Sequence, residues 1–112
     1  MLKEEVSKQI SEVFKLQEER VHIWNDFDTS FKEYLLDAPN FNFKTLQVLC
    51  KRISEALNEI SMKILTIKNN FSENVYNRKN VYELIESLQT NERVKFELVG
   101  KLYKQFIQYR LV

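Results

Sequence analysis

Three long apolar seams, each stepping four residues and then three, run through nearly the whole of this chain and leave room for little but helix. The first passes through Val6, Ile10, Val13, Gln17, Arg20, Trp24, Phe27, Phe31 and Tyr34. The second takes Leu46, Cys50, Ile53, Leu57, Ile60, Ile64, Ile67 and Phe71; the third takes Val81, Ile85, Leu88, Glu92, Lys95, Val99, Leu102, Phe106 and Tyr109. Such a period lines side chains along one stripe of an α-helix. One glycine and one proline in 112 residues allow few of the tight turns that strand-rich folds require in number. The length fits one domain, and eight Phe, five Tyr and one Trp among 44% apolar residues supply a core for three helices to share.

The stop signals divide the chain at two places. Helix over about 3–36 ends at Asp37-Ala38-Pro39-Asn40, because proline disfavours helical geometry in the residue before it. A second helix over about 42–70 follows, with Asn40 or Asn42 placed to accept hydrogen bonds from its first free amides. The polar stretches 69–74 and 77–80 are turn-like, and Asn80-Val81-Tyr82-Glu83 has the form of a cap with a reciprocating glutamate at the start of a third helix, about 80–110. Gly100 is tolerated inside that helix at a cost of ~1 kcal/mol relative to alanine. Short connections make neighbours antiparallel. The expected architecture is therefore all-α, an elongated antiparallel three-helix bundle (up-down-up) with coiled-coil-like packing, forming a single domain over residues 1–112.

Two seams are interrupted near their midpoints by matching segments, Leu16-Gln17-Glu18-Glu19-Arg20-Val21 and Leu88-Gln89-Thr90-Asn91-Glu92-Arg93-Val94. In an up-down-up bundle the first and third helices are parallel, so heights can be counted from a shared end. Fourteen residues separate Val6 from Arg20, and eleven separate Val81 from Glu92, which places both ~20 Å along the bundle at 1.5 Å per residue. The same count brings Leu57 to that level. A buried polar layer is expected there, with Arg20 facing Glu92 and with Gln17 and Gln89 completing its hydrogen bonds. Such a layer fixes register more than it adds stability. The competing reading puts Arg20 and Glu92 at the rim, where they snorkel to water.

Charge and residue inventory exclude several functions. Seventeen basic and sixteen acidic residues give a net charge of +1, so direct nucleic-acid binding is expected to be weak or absent. A single cysteine, Cys50, and a single histidine, His22, supply neither an intramolecular disulfide nor a zinc-type ligand set. Cys50 lies on an apolar seam and reads as a small buried hydrophobe, His22 as solvated, and Met62 as core filler. Lys44, Lys51, Arg52, Lys63 and Lys68 are interrupted by Glu55 and Glu59 and read as a solvated mixed face. Asn70-Phe71-Ser72 matches a glycosylation acceptor, but Met1-Leu2-Lys3-Glu4-Glu5 is too acidic for a secretory signal. No apolar run reaches the ~20 residues that span a bilayer. The expectation is an intracellular, non-enzymatic protein, nuclear or cytoplasmic, with no metal, cofactor, membrane or small-molecule substrate.

Aromatic side chains gather toward one pole: Trp24, Phe27, Phe31 and Tyr34 with Leu102, Phe106 and Tyr109, joined by Phe41, Phe43 and Leu46 of the first connection. Most of them read as a core plug. The sharper reading is that Phe41, Phe43, Tyr109 and Leu111 form a partner-binding surface, because a connection and a chain end have fewer neighbours to cover them.

The run Phe14-Lys15-Leu16-Gln17-Glu18-Glu19-Arg20, then Trp24, Phe27 and Phe31-Lys32-Glu33-Tyr34-Leu35, resembles the opening of the "required for excision one, type B" DNA-repair family. The order of parts is similar as well: Tyr34-Leu35, then Pro39 with Phe41 and Phe43, then Leu88-Gln89 with Glu92 or Asn91. The resemblance runs from about Val6 to Gln105. It implies a link to DNA excision repair and brings no catalytic residues with it. Relatives continue beyond the third helix, so the role of such a tail lies outside what this chain carries. The leading functional expectation is a helical adaptor or scaffold in DNA repair that acts through protein contacts. The alternative is a structural subunit of a cytoskeletal or ciliary (axonemal) assembly, to which stiff ~50 Å helices are suited.

Overall fold

Helix α1 spans Leu2–Leu36, α2 Phe43–Asn70 and α3 Lys79–Leu111, the all-α bundle of helices that the seams predict. The structure is a computed structural model that describes residues 2–36 and 42–111, without the side chains of Ile107, Tyr109, Arg110 and Leu111. Among the described residues there is no strand. By its contacts the chain divides into two compact units, 1–70 and 71–112.

In the first unit α1 and α2 pack against each other. Glu4 and Glu5 stand in the first turn of α1, where carboxylates favour the positive end of the helix dipole. The start of α2 is set by Asn42, whose Oδ1 accepts hydrogen bonds from the backbone amides of Lys44 (3.1 Å) and Thr45 (3.3 Å). Of the two asparagines placed to cap this helix, Asn42 does so; Asn40 lies outside the described residues. Asn70 Nδ2 donates to Gln9 Oε1 at 3.2 Å and Arg20 Nη2 to Ser61 Oγ at 3.1 Å. Residue numbers thus fall along α2 as they rise along α1, and the pair is antiparallel. Val13, Leu16, Trp24, Phe27 and Tyr34 of α1 are buried, as are Leu46, Ile53, Leu57, Ile60, Ile64 and Ile67 of α2. Full burial of side chains this size contributes ~1.5–3 kcal/mol each. Cys50 is the one seam residue of α2 that stays half-buried.

The second unit opens with a tight turn. The Asn77 amide donates to the Ser72 carbonyl (2.9 Å) and the Arg78 amide to the Phe71 carbonyl (3.2 Å), closing the loop with two nested bonds. Asn77 takes a positive φ of 51°, a conformation asparagine tolerates better than other residues with a Cβ. The Phe71 ring is buried and meets Tyr76 at a centroid distance of 5.2 Å. Here the expected cap is corrected. The first turn of α3 closes from Tyr82 N to Arg78 O at 3.0 Å, so Asn80 lies inside the helix. Glu83 pairs instead with Lys79, at 3.8 Å.

The third seam is corrected in its second half. Ile85 is buried and Val81, Leu88 and Glu92 are half-buried, but Lys95 and Leu102 are exposed, and the half-buried positions continue through Val99, Tyr103 and Phe106. A strict seven-residue step drifts by ~20° per heptad around a straight helix. Over the three heptads from Val81 to Leu102 that drift moves the inward position one residue on, to Tyr103.

Gly100 is the only glycine, lies within α3, and a Cβ built on it meets nothing within 4 Å. Gly100→Ala is therefore expected to raise the free energy of unfolding by about 0.5–1 kcal/mol, measured by urea titration with the m-value unchanged.

Candidate functional site

The interruption of the first seam is a buried cation. Arg20 is 1% exposed, held midway along α1 where Leu16 and Trp24, one turn to either side, are buried with it. Its Nη1 donates to Gln17 Oε1 at 3.2 Å, one turn back on the same helix, and its Nη2 donates to Ser61 Oγ on α2. Arg20 thus does not snorkel to water. Gln89 and Glu92, the other residues expected in the polar layer, are half-buried on α3. Sequence reasoning missed Ser61: the height count placed Leu57 opposite Arg20, whereas the hydrogen bond falls one turn further along α2. Ser61 sits beside the apolar seam, and its polarity at the height of the interruption was the available signal.

Toward the end of the hairpin the aromatic residues of α1 form a ladder. Trp24 meets Phe27 edge-on at 6.2 Å, Phe27 stacks on Phe31 at 6.3 Å, and Phe31 on Tyr34 at 6.2 Å. Trp24, Phe27, Tyr34 and Leu46 are buried, so this part of the pole is a core plug. Of the four residues expected to bind a partner, Phe43 is 39% exposed at the first turn of α2. Phe41 lies outside the described residues, as do the side chains of Tyr109 and Leu111, whose backbone belongs to α3. Two expectations are corrected. Leu102 is 69% exposed and therefore not part of the plug, and Met62 is 56% exposed and therefore not core filler; Met62 shares an outward surface with Glu55, Glu59 and Lys63.

Beside the plug an open cleft of about 570 Å³ is lined by Tyr34, Val48 and Leu49, with Glu33 from α1 and Lys44 and Arg52 from α2. The hydroxyl-bearing Ser30 and Thr45 and the amide of Asn42 complete its lining. Among the described residues no three His, Cys, Asp or Glu side chains converge as a metal site, and no helix is long and apolar enough to cross a membrane. Burial pushes the Cys50 thiol above its ordinary pKa. Lys63 pairs with Glu59 at 3.6 Å, and Lys32 with Asp28 at 2.9 Å; both pairs are exposed and contribute little.

Comparison with known proteins places this arrangement in a family: the family model described as DNA repair REX1-B matches residues 8–105, nearly the whole chain. No curated protein and no solved structure matches it.

Truncating Arg20 removes a large side chain and strands the groups it binds, so Arg20→Ala is expected to cost about 2–5 kcal/mol, read from denaturant unfolding. The raised thiol pKa disfavours the thiolate in the folded state. The neutral thiol's contribution is intact at neutral pH and is lost as pH rises from the range where a free thiol ionises through the higher pKa of the folded state. Iodoacetamide at mildly alkaline pH should accordingly label Cys50 more slowly in the folded chain than in urea.

Proposed function

The chain belongs to the DNA repair REX1-B family, and we propose that it serves DNA excision repair as a non-enzymatic helical adaptor acting through protein–protein contacts. The observation that carries this reading is the family match over 8–105. The residue inventory supports the adaptor half. Side chains that perform acid–base, nucleophilic or metal chemistry must converge within hydrogen-bond reach in a sheltered site. Among the described residues most Asp, Glu, Lys and Arg side chains are instead spread along exposed helix faces, and the buried Arg20 serves packing. With a net charge of +1, recognition runs through apolar and paired-charge surfaces rather than through phosphate attraction. A nuclear place of action follows from the repair role.

The buried guanidinium has a part in this reading. A cation held away from water needs a counter-charge as well as hydrogen bonds, and the matched heights of the two Leu-Gln segments nominate Glu92 of α3 to supply it, with Gln89 as a further acceptor. Phe41, Phe43, Tyr109 and Leu111 are the residues assigned to partner contact at the aromatic pole.

Purification of the tagged chain with its neighbours tests the function: repair factors are the expected co-purifying proteins, and cytoskeletal or axonemal components would instead support the structural-subunit alternative. Titration with duplex and single-stranded oligonucleotides at two salt concentrations should give only weak binding, whereas sub-micromolar affinity with a steep salt slope would make the chain a nucleic-acid module. A double-mutant cycle on Arg20 and Glu92 should yield a coupling energy of about 0.5–3 kcal/mol. A value near zero would withdraw Glu92 from the layer. Phe43→Ala should weaken partner association while leaving helicity and Tm nearly unchanged.

A further inference from the structure

One face of α3 is apolar where it meets water. Val94, Leu98 and Leu102 are 45%, 54% and 69% exposed. Spaced four residues apart, they fall within ~80° of the helix circumference at 3.6 residues per turn. They form a continuous aliphatic stripe a little over two turns long. Lys95 and Lys101 border it on its two sides, and Arg93 and Lys104 stand a row behind Lys101. All four are exposed, and Glu97 is the one carboxylate between Arg93 and Lys104. The cations are thus concentrated around the apolar stripe, in a chain whose total charge is close to zero.

We propose that this face of α3 binds an acidic amphipathic helix of a partner protein, with the partner's aliphatic side chains on Val94, Leu98 and Leu102 and its carboxylates on the surrounding lysines and arginine. The proposal deepens the adaptor reading and rests on it for the existence of a protein partner. Three features select the occupant. Anchors repeating every four residues along a straight helix match a second helix, whose own apolar face repeats at that spacing. Arg93, Lys101 and Lys104, with Glu97 the one carboxylate among them, attract an acidic partner and repel a second copy of the same surface, since like charges across an interface disfavour it. A nucleic acid would use the cations but leave three aliphatic side chains against phosphate or water, and the stripe offers no aromatic face for a base to stack on.

The test is a titration of the full chain with a fluorescent peptide of ~16 residues, about four helical turns, carrying leucine along one face and glutamate along its flanks. Two companion peptides replace either every glutamate by lysine or every leucine by serine. The glutamate–leucine peptide should bind in the micromolar range, and each companion at least tenfold more weakly. Leu98→Ser with Leu102→Ser, and separately Lys101→Glu with Lys104→Glu, should each reduce binding at least tenfold. Because these positions are exposed, far-UV circular dichroism and Tm should stay close to those of the parent chain. If the serine companion binds as tightly as the parent peptide, the attraction is net charge alone and the proposal is overturned. Equal binding of the lysine companion overturns it too, as does displacement of the peptide by a duplex oligonucleotide or by anionic phospholipid vesicles at lower concentration. Co-purification keeps the two readings apart. Repair factors still recovered with the Leu98→Ser/Leu102→Ser chain would retain the adaptor and remove this surface. Peptide binding by a chain that recovers no repair factors would retain the surface and remove the adaptor.

Discussion

A guanidinium almost wholly withdrawn from water, Arg20 at 1% exposure, is the constraint around which the α1–α2 pair is arranged. Apolar seams alone allow two helices to slide past each other by a turn, because leucine and isoleucine present similar surfaces at every step. A buried cation removes that freedom. In the observed register Arg20 reaches Ser61 of α2 and Gln17 of its own helix. A slip of one turn would bring it against Leu57 or Ile64, both buried and apolar, and take the Ser61 hydroxyl away from Nη2 at a cost of about 1–3 kcal/mol. The same register satisfies Asn70 with Gln9 at the far end of the pair. Specificity is gained by making the alternatives worse, which is how a single polar residue selects one alignment in a coiled coil.

The hairpin was legible because its signals reinforce one another. In α1 and α2 the four–three steps, the break at Gln17 and Arg20 and the asparagine cap agree, and the structure chose Asn42 over Asn40 as the cap, buried Arg20 rather than leaving it at the rim, and exposed Met62. In α3 two apolar patterns overlap. Val99 and Phe106 belong to the inward stripe, while Val94, Leu98 and Leu102 belong to an outward one, and a seven-residue step that starts at Val81 crosses from the first to the second. Periodicity cannot distinguish a stripe that meets the core from one that meets solvent, because both are made of the same residues at the same spacing. The start of α3 was misread for a local reason. The turn through Asn77, closed by backbone bonds from Asn77 to Ser72 and from Arg78 to Phe71, delivers the chain into helix before a side-chain cap at Asn80 is needed.

Function was less legible than fold, and the reason is chemical. A catalytic site announces itself through residue types that few other roles require, whereas an adaptor uses leucine, valine, phenylalanine and lysine, which are also the material of any helical core and its rim. Gln17 and Arg20 stood out because they break a pattern. Ser61 did not, since a serine flanking a seam breaks nothing. The family was legible from Leu16-Gln17 through Arg20 and from Leu88-Gln89 with Glu92, short motifs whose spacing in the chain carries more information than their composition.

The distribution of structure also limits how such a protein can recognise anything. In most domains binding residues sit on loops held by a rigid scaffold, but here three helices of 35, 28 and 33 residues take up nearly the whole chain. What remains available is the surface of the helices themselves, read by spacing along a rod with a fixed rise per residue. On α3 that surface carries two helical stripes, an inward one ending in Tyr103 and Phe106 and an outward one of Val94, Leu98 and Leu102. Because both stripes are built on one backbone, a change in the helix that rotates one rotates the other by the same angle. A residue inserted or deleted between Glu92 and Val94 would turn both by about 100° relative to the first half of the helix, while leaving composition, charge and helix propensity almost untouched. Under the proposed adaptor role, helical phase, rather than any single side chain, is therefore the property that recognition would depend on most.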